Sequence, residues 1–237
     1  MSANYEYVFR RAVDLAGKPS PRVLDYGCGR GEVVSLGRSR GYEFFGVDRD
    51  APANERPQFF RPLDGARIQF EDGFFDVVIS NQVFEHVEKP QDALREIARV
   101  LRPGGVFLAL FPDRSAWFEG HVGLYFVHWM APRAARLYME TCHKLGFGYF
   151  REGKSAGEWA DFMSHQLATD VFYHSTSDLR MWWEEAFGSP PLPIERDYMM
   201  FRLGPASRFV NGAIFSPLLS FVCRKRAGLV WQTVQAR

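Results

Sequence analysis

Three cysteines in 237 residues are too few and too scattered to staple a fold. Cys28, Cys142 and Cys223 are an odd number, far apart, without paired metal-ligand spacing, so a reduced, cytoplasmic setting is expected. Long apolar runs are missing as well. Nothing reaches the roughly 20 apolar residues that cross a bilayer, so stable membrane insertion is not expected. The opening Met1-Ser2-Ala3-Asn4-Tyr5-Glu6-Tyr7 lacks the basic start and apolar stretch of a signal peptide. Charge of one sign is equally scarce: 29 basic residues face 28 acidic ones, and no block of like charge precedes Arg224-Lys225-Arg226. That balance leaves no electrostatic footprint for nucleic acid. There is no internal repeat and no low-complexity linker; the length alone would permit two domains, and one domain over 1–237 with an insertion is expected.

What the chain does have is Val23-Leu24-Asp25-Tyr26-Gly27-Cys28-Gly29-Arg30-Gly31-Glu32, with Gly46-Val47-Asp48 ending 17 residues after Gly31. This order reads as a buried strand, a glycine turn, a helix and a second strand tipped by a carboxylate. Gly27, Gly29 and Gly31 let the backbone turn sharply and lie against a ligand, and Asp48 can accept hydrogen bonds from ribose hydroxyls. A dinucleotide fingerprint would place a third glycine where Glu32 stands, and a carboxylate there repels a pyrophosphate. The ligand expected is therefore a nucleoside without phosphates, and a cationic one suits Asp25, Glu32 and Asp48. S-adenosylmethionine meets that description.

Further elements follow in order: Asp64, Phe70, Phe75-Asp76-Val77-Val78-Ile79-Ser80-Asn81, Glu85-His86-Val87, and Leu101-Arg102-Pro103-Gly104-Gly105-Val106-Phe107-Leu108. From about residue 20 to residue 112 the chain resembles the class I S-adenosylmethionine-dependent methyltransferases, in the small-molecule branch with the ubiquinone and menaquinone enzymes. The resemblance implies a Rossmann-like α/β fold, with a seven-stranded, mostly parallel sheet and helices on both faces. It also implies that Asp25 holds the cofactor's ammonium group, directly or through water. Asp64, 12 residues before Asp76, matches the position whose carboxylate meets the adenine amino group, with Gly65 beside it, although Asp-Gly is also a common turn. Asn81 and Gln82 end strand four, the edge that faces the transferred methyl group in this fold. Asp76 opens that strand and reads as structural.

Periodicity fills in the rest. Tyr7, Val8, Ala12 and Leu15 mark an amphipathic helix over 4–16, and Leu94, Ile97, Ala98 and Leu101 another that stops at Pro103-Gly104-Gly105. Phe44 to Val47, Phe75 to Ile79 and Val106 to Phe111 read as buried strands, and Pro57 and Pro62 leave room only for a short Phe59-Phe60 strand. A helix carrying Leu179, Trp182, Trp183 and Phe187 should end at Gly188. Ile194 to Leu203 and Ser216 to Lys225 read as the two last strands. The segment 113–176, dense in aromatic residues and histidine, reads as an inserted substrate cap. The stretch Phe209 to Val222 admits a minority reading as an interfacial anchor, against which Asn211, Gly212 and Pro217 speak.

Three histidines are candidates for general base: His128 first, then His86 and His121, since a neutral imidazole can remove an acceptor proton. Loop orientation for His86, and hydrogen-bonded packing for His121 and His128, are the competing readings. No metal site is expected, because no cysteine or carboxylate pattern joins His121 and His128. The run Ser80-Asn81-Gln82-Val83 lacks the prolines of amino-methylating DNA enzymes, and Glu85 and Glu88 do not form the paired-glutamate hairpin of protein arginine enzymes. The expected function is methyl transfer to a small molecule, most naturally an oxygen of a sugar or of a phenolic natural product. A lipid or quinone precursor as acceptor, or a non-catalytic cofactor-binding regulator, are the alternatives. Oligomeric state is left open.

Overall fold

The computed structural model describes residues 3–51, 56–210 and 215–235. Helix α1 (Ala3–Ala16) buries Val8, Ala12 and Ala16 along one face, as their helical spacing requires. Strand β1 (Arg22–Tyr26), helix α2 (Glu32–Ser39) and strand β2 (Glu43–Asp48) form the first strand-turn-helix-strand unit. Strand β3 (Phe60–Pro62) is brief, and β4 (Phe75–Asn81) is buried along nearly its whole length. A single 3-10 turn, Phe84–His86, leads to α3 (Pro90–Val100) and β5 (Leu101–Phe111). The strand begins earlier than its apolar run, because Arg102 precedes Pro103 and is pushed out of the helical region. A bulge between β4 and β5 takes up Arg102 to Gly105: Phe75 pairs with Leu101, and Val77 with Val106.

Beyond β5 come a small hairpin, β6 (Phe118–Glu119) and β7 (Leu124–Tyr125), then α4 (Pro132–Lys144) and α5 (Ala156–Thr169). Helix α6 (Thr176–Phe187) ends at Gly188 in a left-handed conformation. The last elements are β8 (Leu192–Pro193), α7 (Glu195–Leu203), α8 (Ser216–Arg226) and β9 (Leu229–Val234). Two expected strands are therefore helices. In the first, Ile194 and Tyr198 are buried one turn apart; in the second, Leu219 and Cys223 are, while Leu218, Phe221 and Val222 face solvent. Apolar runs without alternation fit either element, and only burial separates them. Of the segment considered as an anchor, Asn211 and Gly212 lie outside the described residues and Pro217 sits in the first turn of α8. Among the described residues no helix is long and apolar enough to cross a membrane.

The main sheet has seven strands in the order β3-β2-β1-β4-β5-β9-β8. The first five are parallel, and β9 is antiparallel to both its neighbours. Side chains alternate between two cores. Leu24, Val78, Phe107 and Phe111 pack under α3 and α6 with Trp183 and Phe187; Val23, Val77, Ile79, Leu108 and Leu110 pack under α1, α2, α7 and α8. Hairpin, α4 and α5 close over a third, separate core around Trp159, Met139 and Met163.

Candidate active site

At the carboxyl end of β1 the chain turns through glycines because side chains would not fit. At Gly27, with φ 78°, a Cβ would lie 2.2 Å from Val83, and at Gly31, with φ 79°, 2.3 Å from the Phe60 ring. Gly31 therefore makes room for packing, and it lines none of the cavities described below. Gly29 is different: an added Cβ would meet nothing within 4 Å, so its backbone lies open to the cleft. Its N–H donates to Asp48 Oδ2 at 2.8 Å, and the Asp50 N–H donates to Asp48 Oδ1 at 2.9 Å. The carboxylate at the tip of β2 is thus fixed in orientation, with lone pairs to spare.

A cavity of about 780 Å³ opens beside this loop, lined by Tyr26, Gly29, Asp48, Leu63, Gly65 and Val87 among others. Gly65 lines it, whereas the exposed Asp64 does not, its carbonyl accepting from the Arg67 N–H at 3.0 Å. A second cavity of about 350 Å³ adjoins the first through Gly27 and Gly29 and is walled by Asn4, Tyr5, Asp25, Glu32 and Asn81. Asp25 is 4% exposed. Burial, then the charges of Asp48 and Glu32, push its carboxyl up to about 7. Asn81 Oδ1 is buried without a hydrogen-bond partner. Acidic groups, an orphaned acceptor and an open glycine backbone together suit a cationic nucleoside.

A third cavity, about 1100 Å³, continues outward between the sheet edge, the hairpin and α7. Phe118, Tyr149, Phe150 and Tyr198 give it aromatic walls, and Arg202 and Arg226 also line it. Gln82 touches all three cavities and holds φ 59°, a left-handed backbone unusual for a side chain of its size. Asn4 and Tyr5, contributed by α1, line both the second and the third. Arg202 had no sequence signal, whereas Gln82 was placed with Asn81 at the end of strand four, and Asn4 and Tyr5 belong to the expected helix over 4–16.

The histidines meet around Glu119. This carboxylate is fully buried and accepts from the His121 backbone N–H at 3.0 Å, from His121 Nδ1 at 2.6 Å and from the Tyr173 hydroxyl. Burial would raise its pKa, but those bonds outweigh burial and hold it below the ordinary range; in turn Glu119 outweighs burial and raises His121. His121 Nε2 lies 3.1 Å from His86 Nε2, and burial lowers His86. Beside them Glu85, 2% exposed, is pushed by burial up to about 8. The expectation that no carboxylate joins His121 and His128 is corrected, because Glu119 lies against both. With Tyr173, the residues of the cluster come from three segments, around 85–86, 119–121 and 173. His128 belongs to this cluster but not to the cavities: its side chain is 5% exposed, its Nδ1 is 3.7 Å from Glu119 Oε2, its ring packs on Tyr173, and it lines none of the three cavities. Trp129 is on the outside, its indole N–H donating to the Arg114 carbonyl at 2.8 Å.

A family model described as "Methyltransferase domain" matches residues 1–186 of the chain. The chain belongs to the S-adenosylmethionine-dependent methyltransferases. An uncharacterized methyltransferase of Mycobacterium sp. (strain JLS) is 31% identical to this methyltransferase over 178 residues, covering 69% of each chain. The ubiquinone biosynthesis O-methyltransferase of Pectobacterium carotovorum is 29% identical over 140 residues, 54% of this chain and 57% of that protein. The matched region is thus a little over half the length of such relatives. An S-adenosylmethionine-dependent methyltransferase from Mesorhizobium loti shares the fold, with a TM-score of 0.56 at 13% identity and 98% of both chains covered.

Proposed function

We propose that the protein transfers the methyl group of S-adenosylmethionine to a small-molecule acceptor, at an oxygen of a sugar or of a phenolic natural product. The observation that carries this reading is the line of three joined cavities with Gln82 common to all. Asp48 and Gly29 would hold the ribose, Gly65 and Leu63 the base, and Asp25 and Asn81 the methionyl end. When bound, the cofactor supplies an electrophilic methyl group on a sulfonium. The chain's own part is to hold an acceptor against the aromatic walls of the outer cavity, in line with that group and away from water. His121, ordered by Glu119, lines the outer cavity, whereas His128 lines none of the three. The phenolic option draws support from the ubiquinone-biosynthesis relatives. A cytoplasmic location fits the three scattered, free cysteines, and independence from nucleic acid fits the nearly balanced charge. The rival reading, a cofactor-binding regulator, predicts binding without turnover on any acceptor.

The first test is binding. S-adenosylhomocysteine should raise the melting temperature and NAD should not. Asp48→Ala should weaken S-adenosylmethionine by about 1.5–3 kcal/mol, the scale of losing charge-assisted hydrogen bonds. An unchanged dissociation constant in calorimetry removes Asp48 from the site. A screen of phenols and sugar nucleotides with labelled cofactor then separates enzyme from regulator.

A further inference from the structure

Glu85, His86 and His121 stand at the wall between the nucleoside cavity and the aromatic cavity, each offering a ligating atom within 4.8 Å of the others. Hydrogen bonding decides which nitrogens are left over. His86 Nδ1 is 2.5 Å from the Asp170 carbonyl oxygen, and His121 Nδ1 is 2.6 Å from Glu119 Oε1. Both oxygens accept, so both Nδ1 atoms carry the proton. Each neutral ring then bears its lone pair on Nε2, and these two atoms face one another at 3.1 Å. Two lone pairs at that distance need a cation between them, either a proton, which Glu119 favours on His121, or a metal ion.

Glu85 adds a third acceptor, since neither of its buried carboxylate oxygens meets a donor. A proton shared by the two rings would relieve their contact and leave Glu85 unmatched. A metal ion would satisfy all three. The geometry suits one: with metal–nitrogen bonds of about 2.0–2.1 Å, a 3.1 Å separation of the nitrogens gives an angle of roughly 100° at the metal. The surroundings suit it too. Histidine ligands are held by an acceptor on the other ring nitrogen, and here a carboxylate and a carbonyl do so. Tyr173 fixes that carboxylate, and the Phe172 N–H bonds the Glu85 carbonyl at 2.6 Å, so the segment 170–173 braces both sides of the cluster.

We propose that Glu85, His86 and His121 form a binding site for a divalent transition metal such as zinc, with its open coordination positions toward the aromatic cavity. Glu85 and His121 both line that cavity, so an oxygen of the acceptor would complete the coordination. This last role rests on the methyl-transfer reading, whereas the metal site does not.

The experiment is a titration of the chelator-treated full chain with Co²⁺, followed by Zn²⁺, read by calorimetry and by visible absorption. One Co²⁺ per chain should bind, with the absorption of a nitrogen and oxygen ligand set, and Zn²⁺ should displace it. Glu85→Gln, His121→Gln and the outer variant Glu119→Gln should each weaken binding by about 10-fold or more. His165→Gln, on the exposed face of α5, should leave it unchanged. If a variant does not fold, imidazole ¹⁵N shifts of the wild-type protein decide: Zn²⁺ should move the Nε2 signals of His86 and His121. Absence of stoichiometric binding, loss of binding in His165→Gln, or unmoved Nε2 signals would overturn the proposal. Calorimetry with S-adenosylmethionine on the same samples keeps two failures apart. Cofactor binding without metal binding overturns only this site, and metal binding without cofactor binding supports the site while removing the methyl-transfer reading.

Discussion

Asp25 shows what a single residue does in this cleft. Its carboxyl, raised to about 7 by burial and by Asp48 and Glu32, holds a proton in the free protein under conditions where an exposed aspartate would not. The folded value lies above the unfolded one. Asp25 therefore contributes stability that is fully present below about pH 4 and is lost as pH rises through about 7. A cationic ligand reverses that preference, because pairing with an ammonium group needs the ionised form. The dissociation constant of S-adenosylmethionine should then rise by up to about tenfold per pH unit from pH 7 down to 5.5, and Asp25→Asn should flatten the dependence. Calorimetry across that range checks it, and equal slopes in both proteins would place the coupled proton elsewhere. Gln82 makes a different point. Its left-handed backbone is a strained conformation kept where three cavities meet, which is where strain tends to be held for function.

Among the elements, the unit formed by the hairpin, α4 and α5 has a core of its own, centred on Trp159, whose indole N–H donates to the Tyr149 carbonyl at 2.8 Å. Tyr149 and Phe150 line the outer cavity, so Trp159 holds that wall from behind. Trp159→Ala should cost about 3–5 kcal/mol within this unit. The expected result is an early, separate transition in scanning calorimetry, loss of turnover on the acceptor, and cofactor affinity within about twofold of wild type. Equal damage to cofactor binding would merge the unit with the main core. Elements also mark how far the sequence could be read. The glycine turn, β4 and the α6 helix ending at Gly188 were legible, because each couples a periodicity to a stop signal. Ile194 to Leu203 and Ser216 to Lys225 were not, since both mix apolar with polar and charged residues without a clear period. The last strand was hidden behind them. Gly228, at φ 106° and with a Cβ position 2.3 Å from the Phe111 carbonyl oxygen, is the turn that admits β9 beside β5.

At the scale of the whole molecule, the parallel strands deliver Asp25, Asp48 and Asn81 to one edge, and this much follows from order along the chain. The cluster of Glu85, His86, Glu119, His121 and Tyr173 does not, because three segments far apart in sequence meet only once the outer unit folds onto the sheet. Asn4 is similarly remote: it accepts from the Tyr198 hydroxyl at 2.7 Å and so ties α1 to α7 over the cleft. The chambers on either side of Gln82 share a wall, and this has a consequence for inhibition. A compound that joins adenosine to an aromatic ring through a short linker would occupy both at once, its second half binding at the effective concentration set by the first. Such a compound should bind about 100-fold or more tightly than S-adenosylhomocysteine, measured by competition. Affinity no better than that of S-adenosylhomocysteine would mean that the chambers do not communicate in solution. The shared wall thus makes the linker, more than either recognition group, the variable that sets the strength of inhibition.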